Sequence, residues 1–206
     1  MTDGIAFTFT NVFMVTATLS PILVAFFMVM VSLMNENVKG LVYIAGSILA
    51  LTANYPLQVA IGDRYKSEET NLVCSPFVLG GGFPEYNTPA ASSLFLAFTF
   101  AYLFIPMYSN SVFNYGIIGS MLILMLGNGY AKVKAGCMDT SGAVMGTLVG
   151  FLFGTLWYVA LRAANAQMFL YFGEMDSTAV RCSMPKEQTF RCSMYKNGRL
   201  ISSDIA

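Results

Sequence analysis

The sequence predicts an all-α integral membrane protein: a five-span helical bundle with a small C-terminal β-hairpin tail. Three observations carry that expectation. Charged residues are only 11% of the 206 and mean hydropathy is +0.62, whereas a water-facing domain usually carries about 25% charged residues. Five stretches are apolar over lengths close to the roughly 20 residues that a helix needs to cross a bilayer. From residue 173 the chain turns polar and contains Asn197-Gly198, the strongest two-residue hairpin signal, because both positions of a type I′ turn need positive φ.

The spans follow in order. The first covers about 7–34 and contains Pro21; the second covers 41–61, with Pro56 near its end. The third and fourth, about 90–107 and 112–127, are short and joined by a tight turn at Asn110 and Ser111. The fifth covers 143–163 and continues as an amphipathic turn through Phe172. The chain thus divides into a transmembrane bundle, 1–172, and a tail, 173–206, in which an extended segment from Thr189 to Tyr195 folds back on Arg199-Leu200-Ile201. The start, Met1-Thr2-Asp3, lacks the basic n-region of a signal peptide.

Five spans put the termini on opposite sides. Side A holds the N-terminus and the loops of about 62–89 and 130–142, with Arg64, Lys66, Lys132 and Lys134. Side B holds residues 35–40, the turn near Asn110 and the tail, with Lys39, Arg162, Arg181, Lys186, Arg191, Lys196 and Arg199. The larger basic count on side B places that side, and the tail, in the cytosol.

Several chemistries are excluded at the outset. The chain has no histidine, which removes His-based triads, phosphohistidine intermediates and His-ligated zinc or haem. Eleven basic residues balance eleven acidic ones, so no basic excess points to nucleic acid. The span cores contain essentially no ionisable residue, which argues against a proton relay, a voltage sensor or an ion pathway. Their small polar residues, Asn11, Thr16, Ser47, Thr52, Asn54, Thr99 and Ser120, are expected to bond to helix backbones.

Gly142, Gly146, Gly150 and Gly154 form a small-xxx-small stripe that lets a neighbouring helix approach closely, within the bundle rather than between copies. Cys74 and Cys137 lie in the two side-A loops, where a disulfide between them would join the loops if that side is lumenal. Cys182 and Cys192 lie in the tail, too far apart for a metal knuckle. No metal and no cofactor are expected.

The side-A loops carry a family resemblance. Lys132-Val133-Lys134-Ala135-Gly136-Cys137-Met138-Asp139-Thr140-Ser141-Gly142 resembles the third signature, Ser-Arg-x5-His-x3-Asp, of the type 2 phosphatidic acid phosphatase superfamily of lipid phosphate phosphatases. In that alignment Ala131 takes the Ser place, Lys132 the Arg place, Met138 the nucleophilic His place and Gly142 the Asp place. Pro89-Ala90-Ala91-Ser92 is similar to the second signature, Pro-Ser-Gly-His, with Ser92 in the place of the acid/base His. The first signature, Lys-x6-Arg-Pro, is matched only by Arg64, with Leu57 and Tyr65 in the flanking places. The resemblance covers about 41–163 and implies the family's helical core without its activity. The family's reaction passes through one imidazole as nucleophile and a second as acid/base. Ser92 and Met138 supply neither, so the resemblance implies a pseudoenzyme.

The tail contains a near-repeat, Arg181-Cys182-Ser183-Met184-Pro185-Lys186 and Arg191-Cys192-Ser193-Met194-Tyr195-Lys196. Its wording resembles tails of membrane proteins of large double-stranded DNA viruses, which implies a virion inner-membrane or minor capsid component. The expectation is therefore a non-catalytic structural membrane protein that anchors a large assembly to a bilayer, with protein partners on its tail. The alternative is a lipid-headgroup-binding protein or a residual lipid phosphatase, with Arg64, Lys132 and Lys134 gathered on the headgroup.

Overall fold

The structure, a computed structural model, describes residues 8–61, 88–172, 194–196 and 199–202. Five helices account for most of them: α1 Phe9–Met34, α2 Lys39–Ile61, α3 Ala91–Ser109, α4 Tyr115–Lys134 and α5 Thr140–Ala163. All five are long and apolar enough to cross a membrane. The second to the fifth each run past the expected span at one end. The largest difference is in α4, which continues to Lys134, so the expected 130–142 loop shrinks to 135–139. Its last turns carry Lys132 and Lys134, which read as loop residues by hydropathy yet keep good helix propensity.

Local chemistry sets the helix ends. Asn114 caps α4, its side-chain oxygen accepting from the N–H groups of Gly116 (3.1 Å) and Ile117 (3.3 Å). Four C-termini close in one way, by a residue at positive φ that turns the chain back on the last carbonyls. Those residues are Glu36 (φ 51°), Ser111 (54°), Gly136 (71°) and Asn165 (54°). In α3 the N–H of Val112 reaches Met107 O at 2.9 Å and that of Ser111 reaches Tyr108 O at 3.2 Å, which makes the tight turn expected at Asn110 and Ser111.

The bundle is built around α3. Of its apolar window 72% is buried, against 22–33% in the other helices. Leu94, Leu96, Phe98, Tyr102 and Met107 are almost wholly enclosed. The glycine stripe of α5 lies along it: Gly146 faces the Ala90 backbone, Gly150 that of Leu94 and Gly154 that of Phe98. Both series ascend in steps of four, so α3 and α5 run parallel, backbone to backbone. A Cβ at Gly146 would stand 2.5 Å from Ala90 O, and one at Gly154 2.6 Å from Phe98 O, which no real side chain tolerates. The indole side chain of Trp157 in α5 lies directly over Gly46 of α2.

Small polar side chains of the helices bond to backbone, as expected in an apolar bundle. Ser47, Thr52, Thr99 and Ser120 donate to carbonyls of their own helices. Pro21 has no N–H, which leaves Ala17 O in α1 without its usual partner. Ser20 Oγ (2.7 Å) and Asn128 Nδ2 of α4 (2.8 Å) donate to that carbonyl instead.

After α5 the chain does not leave the bundle at once. A 3₁₀ turn, Gln167–Phe169, leads back inside, and Leu170 is 1% exposed. The Tyr171 hydroxyl donates to Met28 O of α1, Tyr102 of α3 donates to Phe169 O, and Asn110 Nδ2 to Phe172 O. Burial holds the Tyr171 phenol above its usual range. The amphipathic turn through Phe172 is thus a re-entrant segment clamped by two helices.

Residues 177–206 form a separate unit. Within it β1, Met194–Lys196, pairs antiparallel with β2, Arg199–Ser202, in the register Tyr195 with Leu200 and Lys196 with Arg199. The Asn197-Gly198 pair and the segment before Met194 lie outside the described residues.

Candidate functional site

Two of the three segments singled out by the family resemblance, 89–92 and 132–142, meet at one end of the bundle. The end of α4 is the first component. Cys137 N–H reaches Lys132 O (2.9 Å) and Gly136 N–H reaches Val133 O (3.1 Å), with Gly136 at the positive φ this closure requires. That turn delivers Met138, 5% exposed, and then Asp139, the N-cap of α5. Cys137 is disulfide-bonded.

The start of α3 is the second component. The Ala90 N–H donates to Gly142 O at 3.0 Å, which ties the 89–92 segment to the end of the 132–142 segment. Pro89 is fully buried and Ser92 is 3% exposed. From α2, Asn54 Nδ2 (3.2 Å) and Gln58 Nε2 (2.7 Å) both donate to Pro89 O. Asn54 Oδ1 is buried with no partner among the described residues. The structure therefore brings Pro89, Ser92 and Gly142 into one buried neighbourhood. Met138 lies four residues before Gly142 on the same chain.

The two lysines separate. Positions two apart on a helix leave on different faces. Lys132 is buried, 6% exposed. Lys134 is exposed, its Nζ 5.6 Å from the Tyr130 ring centroid and 3.4 Å from the Tyr130 hydroxyl. Lys132 and Lys134 thus stand in different surroundings, one enclosed and one at the surface. Arg64, the third residue of that expected cradle, and Cys74, the expected disulfide partner, lie outside the described residues.

The site's chemistry follows from its residue types. The positions singled out present a thioether at Met138 and a hydroxyl at Ser92, both buried. Among the described residues no group of His, Cys, Asp or Glu is placed to hold a metal ion. What remains is a neighbourhood of amide, hydroxyl and buried amine groups, suited to holding helices together and to hydrogen bonding. Sequence reasoning missed the roles of Gln58 and Trp157. Asn54 and Gln58 share a helix face at i, i+4 spacing, and that polar pair near the end of an apolar span was the available signal.

Comparisons with protein-family models, with characterised proteins and with solved structures return no match to this chain.

Proposed function

We infer that this chain is a non-catalytic membrane protein with a degenerate lipid-phosphatase frame, which anchors a larger assembly to a bilayer through its tail. The carrying observation is the Ala90 N–H to Gly142 O bond at 3.0 Å. It joins the two segments that resemble the family's second and third signatures, as a shared frame requires. In that frame Ser92 and Met138 occupy the places of the two catalytic imidazoles, both buried. The clamped segment through Phe172 supports the anchoring half of the reading. Hydrogen bonds from Tyr171 to α1 and from Tyr102 and Asn110 of α3 hold the root of the tail, so force on the tail passes into two helices rather than one. On this reading the tail meets protein subunits, as in a virion inner-membrane or minor capsid component, and lies on the cytosolic side.

Two measurements test it. Purified protein given phosphatidic acid in mixed micelles releases no phosphate above the no-protein blank. Turnover that survives purification and is abolished by Lys132→Ala would overturn the pseudoenzyme half. Cross-linking in the native membrane traps a protein partner on residues 173–206; a tail that cross-links to nothing while the assembly stays intact would overturn the anchoring half.

A further inference from the structure

We propose that the exposed edge of α3, together with Arg162 of α5, binds one phospholipid from the leaflet at the tail end of the bundle: its phosphate on the Arg162 guanidinium, one acyl chain along a stacked aromatic stripe. The site lies at the opposite end of the bundle from the degenerate signatures. It rests on the membrane reading above.

The polar end is built around a held cation. Arg162 sits in the last turn of α5. Its Nη1 donates to Ser109 Oγ at the end of α3 (2.8 Å) and to the Tyr158 hydroxyl one turn back (3.1 Å). Those bonds occupy one nitrogen of a planar fork that has five N–H donors. No carboxylate pairs with Arg162 among the described residues. The guanidinium is exposed and oriented, with donors left over in the geometry that phosphate oxygens accept.

The apolar end begins beside it. Beyond its first turns α3 reaches the surface only at Phe100, Phe104, Ile105, Tyr108 and Ser109. Three of these form a ladder on one face: Phe100 and Phe104 stack at 5.3 Å, Phe104 and Tyr108 at 6.2 Å. Phe151 of α5 adds a fourth ring, 6.4 Å from Phe100. At the upper end Tyr108 meets Phe113, and Phe113 stacks on Tyr115 (both contacts 6.3 Å). Tyr108 and Tyr115 are 67% and 80% exposed, which suits the headgroup layer where Tyr gathers.

The lengths agree. From Arg162 down to Phe151 the helix rises about 16 Å at 1.5 Å per residue, close to half of a hydrocarbon core about 30 Å thick. The stripe thus runs from the headgroup level to the bilayer midplane, the reach of a single acyl chain. A cation above an apolar stripe of one-leaflet length fits a glycerophospholipid, whereas free phosphate would gain only the cation.

The test uses the full chain, extracted in detergent and washed, then reconstituted in nanodiscs of phosphatidylcholine with 10% spin-labelled or brominated phosphatidylglycerol (about a tenth, at which steering by anionic lipid is measurable). Retained lipid is read by native mass spectrometry. Wild type retains one phospholipid, and Arg162→Gln and Phe104→Ala each lower retention about tenfold with helicity unchanged; 10 mM inorganic phosphate (on the order of a weak single-ion affinity) does not displace it. Arg162→Lys, which keeps charge but not the fork, falls between. Equal retention by wild type and Arg162→Gln in correctly inserted protein overturns the site and leaves the membrane reading intact. Displacement by inorganic phosphate overturns the lipid as ligand. A chain that needs no detergent for extraction overturns the membrane reading itself, and the site with it.

Discussion

Asn128 of α4 donates its amide to Ala17 O of α1 at 2.8 Å, the carbonyl that Pro21 leaves without a helical partner. In an apolar interior an unmet carbonyl has no water to fall back on. The bond therefore links a defect in one helix to a polar side chain in another, although they are far apart in sequence. We expect Asn128→Ala to cost about 1 kcal/mol, within the range of inter-helix hydrogen bonds in membranes. In a Pro21→Ala background, where residue 21 regains an N–H, the cost should shrink by at least half. A double-mutant cycle on unfolding in detergent micelles measures the coupling; additive effects would refute it.

The α3–α5 contact gives a graded series. Gly150→Ala drives a Cβ into the Leu94 backbone, and backbone cannot rotate out of the way. It should lower stability by about 2 kcal/mol or more. Gly119→Ala is the control: nothing lies within 4 Å of its added Cβ, so it should be neutral or stabilising by up to about 1 kcal/mol through helix propensity. Thermal unfolding of the two variants beside wild type separates packing from propensity.

Glu36 and Ser111 hold the left-handed conformation at φ 51° and 54° without being glycine. An L side chain there is strained by about 1–2 kcal/mol. Glycine relieves that strain at some cost in unfolded-chain entropy, so Glu36→Gly and Ser111→Gly should each stabilise by about 0.5–1 kcal/mol. Gly136→Ala, at φ 71°, should destabilise by a similar amount. The three midpoints, measured together, check the sign.

Cys137 is disulfide-bonded, and its partner lies outside the described residues. Cys74 falls between α2 and α3, which open at the same end of the bundle as the α4–α5 turn. Cys74→Ser should release one thiol that alkylation maps to Cys137. Cys182→Ser and Cys192→Ser should leave Cys137 protected. Protection of Cys137 in the Cys74→Ser protein would assign its partner to the tail instead.

Composition and hydropathy alone indicate a five-helix chain of membrane class and the order of its helices, though not where α4 ends. Scarce charge and five long apolar stretches leave a water-soluble fold no surface, and Asn110 with Ser111 marks the tight turn between the third and fourth helices. The glycine spacing showed that α5 carries a close-approach face. Which helix meets that face became visible only in the folded bundle, where it is α3. The folded chain also shows that α3 is the enclosed one, that Lys132 is buried while Lys134 lies on Tyr130, and that the chain after α5 turns back inside. The physical reason is shared. Hydropathy measures avoidance of water, and in a bilayer a lipid-facing helix and a protein-facing helix avoid it equally. The partner of Asn128 or of Gly150 is fixed by packing across the bundle, which leaves no period in the chain to read.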